Sequence, residues 1–180
     1  SVAIPAHAIE VTDAHTEDTP LDLVTAMPPG GPVLTASQYA ELSARIDALG
    51  SGGGGTGGTG AVWIAVESLY SMDGDRAALD DLAALADEHG FLVVDEAHAT
   101  GIWGAGGRGL GAHLEGRENF VSLHTLGKSL GGSGAILCMA PALRDFMVNR
   151  ARPFIFATAP SPLVCAAAIE ALAMIEDEPW

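Results

Sequence analysis

The sequence contains few cations, and lysine is the rarest of them. Only eight of its 180 residues are lysine or arginine, against 23 aspartates and glutamates, and Lys128 is the single lysine. The formal net charge of −15 argues against nucleic acid or an anionic membrane as a partner, because both favour cationic proteins. Since all seven other cations are arginine, we expect the amine of Lys128 to have a chemical role.

Cysteines and long apolar runs are also scarce. The two cysteines, Cys138 and Cys165, are too few for a framework of disulfides or metal knuckles. Both stand in apolar segments, so we expect them to pack as small hydrophobic residues in a reducing compartment. The sequence shows no signal peptide and no apolar run long enough to span a membrane, and a cytoplasmic location is therefore expected.

The first third of the sequence shows little regular patterning. Residues 1–49 are expected to form an irregular, poorly defined segment, apart from a short helix over 37–49. Residues 50–60 contain eight glycines before an apolar run, which predicts a flexible linker rather than a phosphate-binding loop. We expect the globular part of the chain to comprise residues 61–180.

From residue 61 onward, apolar runs alternate with amphipathic segments. Strands are predicted at 61–66, 91–95, 120–124 and 135–139, and helices at 76–89, 143–150 and 163–175. The strands at 61–66, 120–124 and 135–139 are expected to be buried. Four residues of the first helix are expected to face inward, namely Leu79, Leu82, Leu85 and Ala86. Asp75 is the expected N-cap of the first of these helices and Gly90 its C-terminal stop. A strand–helix–strand unit of this length implies a parallel crossover. The predicted fold class is therefore α/β, with three αβα layers around a mostly parallel sheet.

The residues with the clearest chemical potential are predicted at one edge of this sheet. Ligands bind at the carboxyl ends of parallel strands, where Asp95 ends one strand and Lys128 follows another. Pyridoxal phosphate (PLP) needs a lysine for its aldehyde and an acidic partner for its ring nitrogen. His98 could contact the ring, and Thr125 could donate to the phosphate. Ser71 follows the first strand at the same edge, and the combination predicts a PLP site.

Two nucleotide-binding patterns and a metal site are the alternatives. A G-x-G-x-x-G pattern occupies 104–109, but it begins well after the strand that ends at Asp95, whereas a dinucleotide fingerprint follows its strand directly. A P-loop would require glycine where Ser122 stands. Histidines and carboxylates suitable for a metal also occur in this region, although no pair has the spacing of known hydrolase motifs. They are Asp95, Glu96, His98, His113 and His124.

Four segments resemble the α-oxoamine synthases, a family of fold-type I PLP-dependent enzymes. The segments are VESLYSMDGD (66–75), VVDEAHATGIWGAGGRG (93–109), HTLGKSLG (124–131) and RARPFIFATAPSP (150–162). The resemblance covers about residues 61–175. It implies a decarboxylative condensation of an amino acid with an acyl thioester, and within the family it points to L-alanine and a pimeloyl thioester in biotin synthesis.

The resemblance also implies roles for individual residues. Lys128 matches the lysine that holds the cofactor and acts as general base, and Asp95 matches the partner of the pyridine nitrogen. His98 and Ser71 match residues that touch the phenolic oxygen of the cofactor, and Thr125 matches a phosphate ligand. The expected catalytic residues are therefore Lys128 and His98.

Thr158 matches a position that can reach the phosphate of a neighbouring subunit, so the resemblance implies a homodimer. Other expected family features are missing, since residues 1–60 lack the histidine that stacks on the cofactor ring and the sequence stops at Trp180, before a smaller C-terminal domain. Two alternatives to the alanine-dependent reaction therefore stay open. One is a sibling enzyme, such as a glycine C-acetyltransferase or 5-aminolevulinate synthase, and the other is a non-catalytic fragment.

Overall fold

The computed structural model describes residues 11–16, 19–25, 34–50 and 62–177. The chain forms two compact units, Ser1–Val94 and Asp95–Trp180. Apart from Gly50, which ends a helix, the predicted glycine linker lies outside the described residues.

The described residues of the first unit form four strands and two helices. The elements are β1 (Val11–Thr16), β2 (Thr19–Thr25), α1 (Ala36–Gly50), β3 (Val62–Glu67), α2 (Leu79–His89) and β4 (Gly90–Asp95). β1 and β2 pair antiparallel, and β2 pairs parallel with β3. The helix predicted over 37–49 is confirmed as α1. The rest of the N-terminal third was expected to be irregular, but it contains β1 and β2. These strands carry a weak local pattern, and their backbone pairing gives them strand structure.

Helix α2 begins later than its sequence pattern predicts. Asp75 is not the N-cap, since the segment before the helix folds back on itself. The carbonyl of Asp75 accepts the N–H of Tyr70 at 2.8 Å, and the carbonyl of Ser68 accepts the N–H of Ala77 at 3.0 Å. The C-terminal stop at Gly90 is confirmed. A Cβ at Gly90 would lie 2.1 Å from a backbone oxygen of β3, so only glycine fits there.

The core of the first unit lies between the helices and the strands β3 and β4. The inward-facing residues predicted for α2 are all buried, namely Leu79, Leu82, Leu85 and Ala86. Strand β3 alternates buried and half-buried residues. Trp63 of β3 stacks on Phe91 of β4 with ring centroids 4.4 Å apart. Hydrophobic burial on these elements therefore fixes the end of β4, where Asp95 stands.

The described residues of the second unit include an antiparallel pair of strands and three α-helices. The elements are β5 (Phe120–Thr125), β6 (Ala135–Met139), α3 (Pro141–Arg150), α4 (Arg152–Ile155) and α5 (Pro162–Asp177). β5 and β6 pair from Val121 opposite Met139 to Thr125 opposite Ala135. The boundaries of β5, β6, α3 and α5 agree with the predicted strands and helices to within two residues, whereas the short helix α4 was not predicted. The loop from Leu126 to Leu130 packs on Ala168 of α5, which anchors the segment that carries Lys128.

Two sequence expectations for the second unit are wrong. β6 was expected to be buried, yet Leu137 on this strand is 46% exposed. Cys138 and Cys165 were expected to pack internally, but both are exposed. An apolar sequence shows that a segment is compatible with burial, but it does not identify the neighbour that would cover it. Among the described residues, no helix is long and apolar enough to cross a membrane.

Candidate active site

The structure brings together the two residues expected to be catalytic. Lys128 lies in the loop after β5, and His98 lies in the turn that follows β4. The Nζ atom of Lys128 is 2.7 Å from Nε2 of His98. One of the two nitrogens must donate this hydrogen bond and the other must accept it. Lys128 is exposed and His98 is half-buried, so the amine is accessible while the imidazole holds it from one side.

Asp95 is fixed at the end of β4 by the turn that it begins. Its Oδ1 atom accepts the N–H of Ala97 at 2.8 Å. This local hydrogen bond is typical of aspartate at a chain reversal. The turn places Asp95 and His98 three residues apart on a short segment. Asp95 and His98 therefore both lie in the turn at the start of the second unit, and His98 contacts Lys128 from this turn.

Thr125, the expected phosphate ligand, ends β5 three residues before Lys128. Its Oγ1 atom is buried and has no hydrogen-bond partner within the described part of the chain. A buried hydroxyl without a partner costs free energy, so such groups are rare unless a ligand or water supplies the partner. An anionic oxygen at this position would accept the hydrogen bond. This hydroxyl, together with the amine of the lysine three residues further along the chain, fits a phosphate-bearing aldehyde such as PLP.

Glu96 is a structural residue that sequence analysis placed only among possible metal ligands. It is 1% exposed, and its carboxylate accepts the N–H groups of Gly111 at 2.6 Å and Leu110 at 3.0 Å. Gly109 has φ +94°, and a Cβ there would lie 2.5 Å from the carboxyl carbon of Glu96. The last glycine of the pattern at 104–109 is therefore explained by close packing against this carboxylate. No group of three metal-binding side chains occurs among the described residues.

For the other two predicted site residues, the structure gives the local surroundings. Ser71 belongs to the first unit, where it is exposed in the loop after β3 and donates its N–H to Oε2 of Glu67 at 3.2 Å. Thr158 is exposed between α4 and α5 of the second unit. The roles expected for these two residues stay predictions.

The surroundings of Tyr70 and Cys138, two described residues outside the predicted site, raise the pKa of each side chain. Burial raises the pKa of Tyr70 strongly, and the Glu67 carboxylate raises it further. Partial burial raises the pKa of the Cys138 thiol, and a hydrogen bond with Ser122 offsets part of that effect. Both shifts favour the neutral form, so neither group is primed as a nucleophile or base.

The sequence matches one known protein family over most of its length. Residues 54–178 match the family described as aminotransferase class I and II. The chain therefore belongs to that family.

Individual relatives show which kinds of enzyme in this family the chain resembles. An 8-amino-7-oxononanoate synthase from Anaeromyxobacter dehalogenans (strain 2CP-C) is 47% identical over 119 residues, which cover 64% of this chain and 30% of that protein. The structure of an 8-amino-7-oxononanoate synthase from Francisella tularensis has a TM-score of 0.56 and 29% identity, over 75% of this chain and 39% of the other. A serine palmitoyltransferase from S. paucimobilis, solved with PLP and myriocin bound, has a TM-score of 0.64 and 26% identity, over 77% and 34%.

These relatives confirm the predicted α/β class with a mostly parallel sheet and the predicted resemblance to PLP-dependent synthases. The chain spans about a third of the length of the three relatives named above, with coverage from 30% to 39%.

Proposed function

We propose that this chain carries the lysine-centred part of an 8-amino-7-oxononanoate synthase. The reaction would condense L-alanine with a pimeloyl thioester, on coenzyme A or a carrier protein, and release carbon dioxide in biotin biosynthesis. The observation that carries the proposal is the 2.7 Å contact between Lys128 Nζ and His98 Nε2. The sequence identity to 8-amino-7-oxononanoate synthases supports the choice within the family.

PLP would supply an electron-accepting ring for the bond changes at the α-carbon of the amino acid. Lys128 would hold its aldehyde, and Asp95 would pair with its ring nitrogen. His98 and Ser71 would contact the phenolic oxygen, and the unpaired hydroxyl of Thr125 would donate to the phosphate.

Lys128 would also move the α-proton of the amino acid. A general base must present an unprotonated atom to the proton that it removes. The imidazole of His98 can accept a hydrogen bond from Lys128 Nζ, and this contact directs the amine while leaving it exposed. A neutral His98 therefore orients the base, and its second nitrogen remains available to the cofactor or substrate.

The second candidate is a sibling synthase that uses another amino acid and thioester, such as a glycine C-acetyltransferase or 5-aminolevulinate synthase. The observation that favours a sibling is the likeness to solved serine palmitoyltransferases, which extends to a TM-score of 0.67. The Lys128–His98 contact does not distinguish these enzymes, because it concerns the shared cofactor. Substrate preference distinguishes them. We expect turnover with L-alanine and pimeloyl-CoA, and preferential turnover of glycine or serine would favour the sibling.

We propose further that the protein acts as a homodimer, with Thr158 reaching the neighbouring subunit's cofactor. The segment around Thr158 exposes large apolar side chains, with Phe154 at 64%, Phe156 at 77% and Leu163 at 79%. Exposed apolar patches of this kind are typical of interfaces. We place the dimer in the cytoplasm, where the exposed cysteines would stay reduced. Analytical ultracentrifugation tests the dimer, and a purely monomeric species would contradict it.

The decisive experiment is covalent labelling of the chain with PLP. We expect a new visible absorption band, and reduction with borohydride should leave a stable pyridoxyl group on the peptide that contains Lys128. Because Lys128 is the single lysine, Lys128→Ala should remove this label. Lys128→Arg is the matched control, because it keeps a cation that cannot form the bond. A folded wild-type chain without the label at saturating PLP would refute the proposal and favour a non-catalytic fragment.

A further inference from the structure

Thr100 connects the turn after β4 to the segment that follows β5. Its side chain is 4% exposed. Its N–H and its hydroxyl both donate to the carbonyl of Glu96 at 2.8 Å. Its Oγ1 atom also contacts Nδ1 of His124 at 2.9 Å, and its carbonyl accepts the hydroxyl of Ser129 at 2.5 Å. These four residues are called the Thr100 cluster below.

The hydrogen bonds of this cluster specify one tautomer of His124. A hydroxyl has a single proton, and Thr100 gives it to a carbonyl that can only accept. Oγ1 of Thr100 must therefore accept from His124, which requires a proton on Nδ1. In the neutral ring, Nε2 is then the acceptor, and the hydroxyl of Ser122 lies 3.0 Å from it. The result is a directed series of hydrogen bonds from Ser122 through His124 to Thr100.

We propose that Thr100 and His124 are positioning residues that hold His98 opposite Lys128. The inference rests on the function proposed above. His98 is two residues before Thr100, and Lys128 is one residue before Ser129, which is bonded to Thr100. The cluster therefore closes a ring of contacts with the 2.7 Å Lys128–His98 contact. Displacement of Thr100 changes the separation of the Lys128 and His98 side chains. His98 is joined to Thr100 by a short stretch of chain, and Lys128 is joined to it through the hydrogen bond of its neighbour Ser129.

The first test measures the tautomer of His124 in the full chain without cofactor. Imidazole nitrogens labelled with ¹⁵N are observed by NMR while the pH is raised until the ring signals of His124 no longer change. The expected result is a protonated Nδ1 and an unprotonated Nε2. A proton on Nε2 instead would overturn the proposal. This measurement needs no variant, so it decides the question even if the substitutions below prevent folding.

The second test follows the ring signals of His98 in variants. Thr100→Val keeps the shape of the side chain but removes its hydroxyl, and His124→Phe removes the donor. Thr100→Val and His124→Phe should both shift the His98 signals. Thr100→Ser keeps the hydroxyl, so its His98 signals should match those of the wild type. His113→Phe is the control, because His113 is exposed and contacts the carbonyl of Leu110 at 3.1 Å. Unchanged His98 signals in folded Thr100→Val and His124→Phe would show a merely structural role and overturn the proposal.

PLP labelling separates this inference from the proposed function. If the wild-type chain takes the label, Thr100→Val should require a roughly fivefold to tenfold higher PLP concentration, the loss expected for a hydrogen bond in a buried network. Labelling of Thr100→Val at the wild-type concentration would overturn the positioning role. If the wild-type chain takes no label, the proposed function fails, and the ring signals of His98 still decide the role of Thr100.

Discussion

Thr125 and Thr100 have the same side chain but differ in the hydrogen bonds of their hydroxyl groups. The Thr125 hydroxyl is buried without a partner among the described residues, whereas the Thr100 hydroxyl has two partners. Removing an unpaired buried hydroxyl eliminates an unfavourable term, whereas removing a paired one leaves its partners unsatisfied. The same substitution at the two sites should therefore have opposite effects.

We predict that Thr125→Val stabilises the cofactor-free chain by about 1 kcal/mol, and that Thr100→Val destabilises it by about the same amount. Urea unfolding followed by circular dichroism measures both changes. Thr125→Val should also weaken PLP labelling of Lys128, because the proposed phosphate loses a donor. Destabilisation by Thr125→Val together with unchanged PLP labelling would contradict the role given to this hydroxyl.

Among individual residues, the sequence predicts those whose type is scarce in the chain or whose position indicates a specific chemical role. Lys128 and Asp95 were predicted as site residues because a lone lysine and a strand-terminal carboxylate indicate specific chemistry, and the structure places His98 against Lys128. Thr100 could not be found in this way, because three of its four hydrogen bonds involve backbone groups, which any sequence supplies. Its importance follows from burial and from the chain path.

The loop from Ala97 to Gly111 depends on the fit between a carboxylate and a glycine. Both oxygens of Glu96 accept backbone N–H groups of this loop. Gly106 and Gly109 both have positive φ, at +62° and +94°. They differ in the space around them, since a Cβ at Gly106 would meet nothing within 4 Å and one at Gly109 would collide with Glu96.

We predict that Gly109→Ala lowers the free energy of unfolding by about 2–4 kcal/mol, from combined backbone strain and overpacking. Gly106→Ala should cost only about 1 kcal/mol, because it introduces the backbone strain alone. Thermal or urea unfolding of the two variants gives the comparison. Equal losses would show that the Glu96 contact contributes nothing to the requirement for glycine.

The elements themselves were largely predictable, and their errors have a common origin. The apolar patterns predicted the strands β3 to β6 and the helices α2, α3 and α5, because these patterns report local burial directly. β1 and β2 were missed because pairing with a neighbouring strand, rather than their own composition, makes them strands. The start of α2 was placed too early for a similar reason, since the carbonyl of Asp75 bonds to Tyr70 in a loop instead of capping a helix.

For the whole molecule, stability at alkaline pH should depend on Tyr70. This side chain is 7% exposed, and burial together with Glu67 raises its pKa above the ordinary value. The folded state therefore retains the proton of Tyr70 under conditions in which the unfolded chain releases it. A raised pKa contributes stability that is fully present below about pH 10, the ordinary tyrosine value, and is lost as the pH rises toward the folded-state value.

We predict that the free energy of unfolding decreases above about pH 10 and that Tyr70→Phe reduces the steepness of this decrease. The phenylalanine variant lacks the ionisable hydroxyl, so its folded and unfolded states bind the same number of protons at this position. Urea unfolding from pH 8 to pH 11 measures the slope, with Tyr39→Phe as the control because Tyr39 is the other tyrosine in the sequence. Identical slopes for wild type and Tyr70→Phe would mean that Tyr70 ionises as readily in the folded chain as in the unfolded one, and hence that the packing around β3 does not exclude water from its hydroxyl.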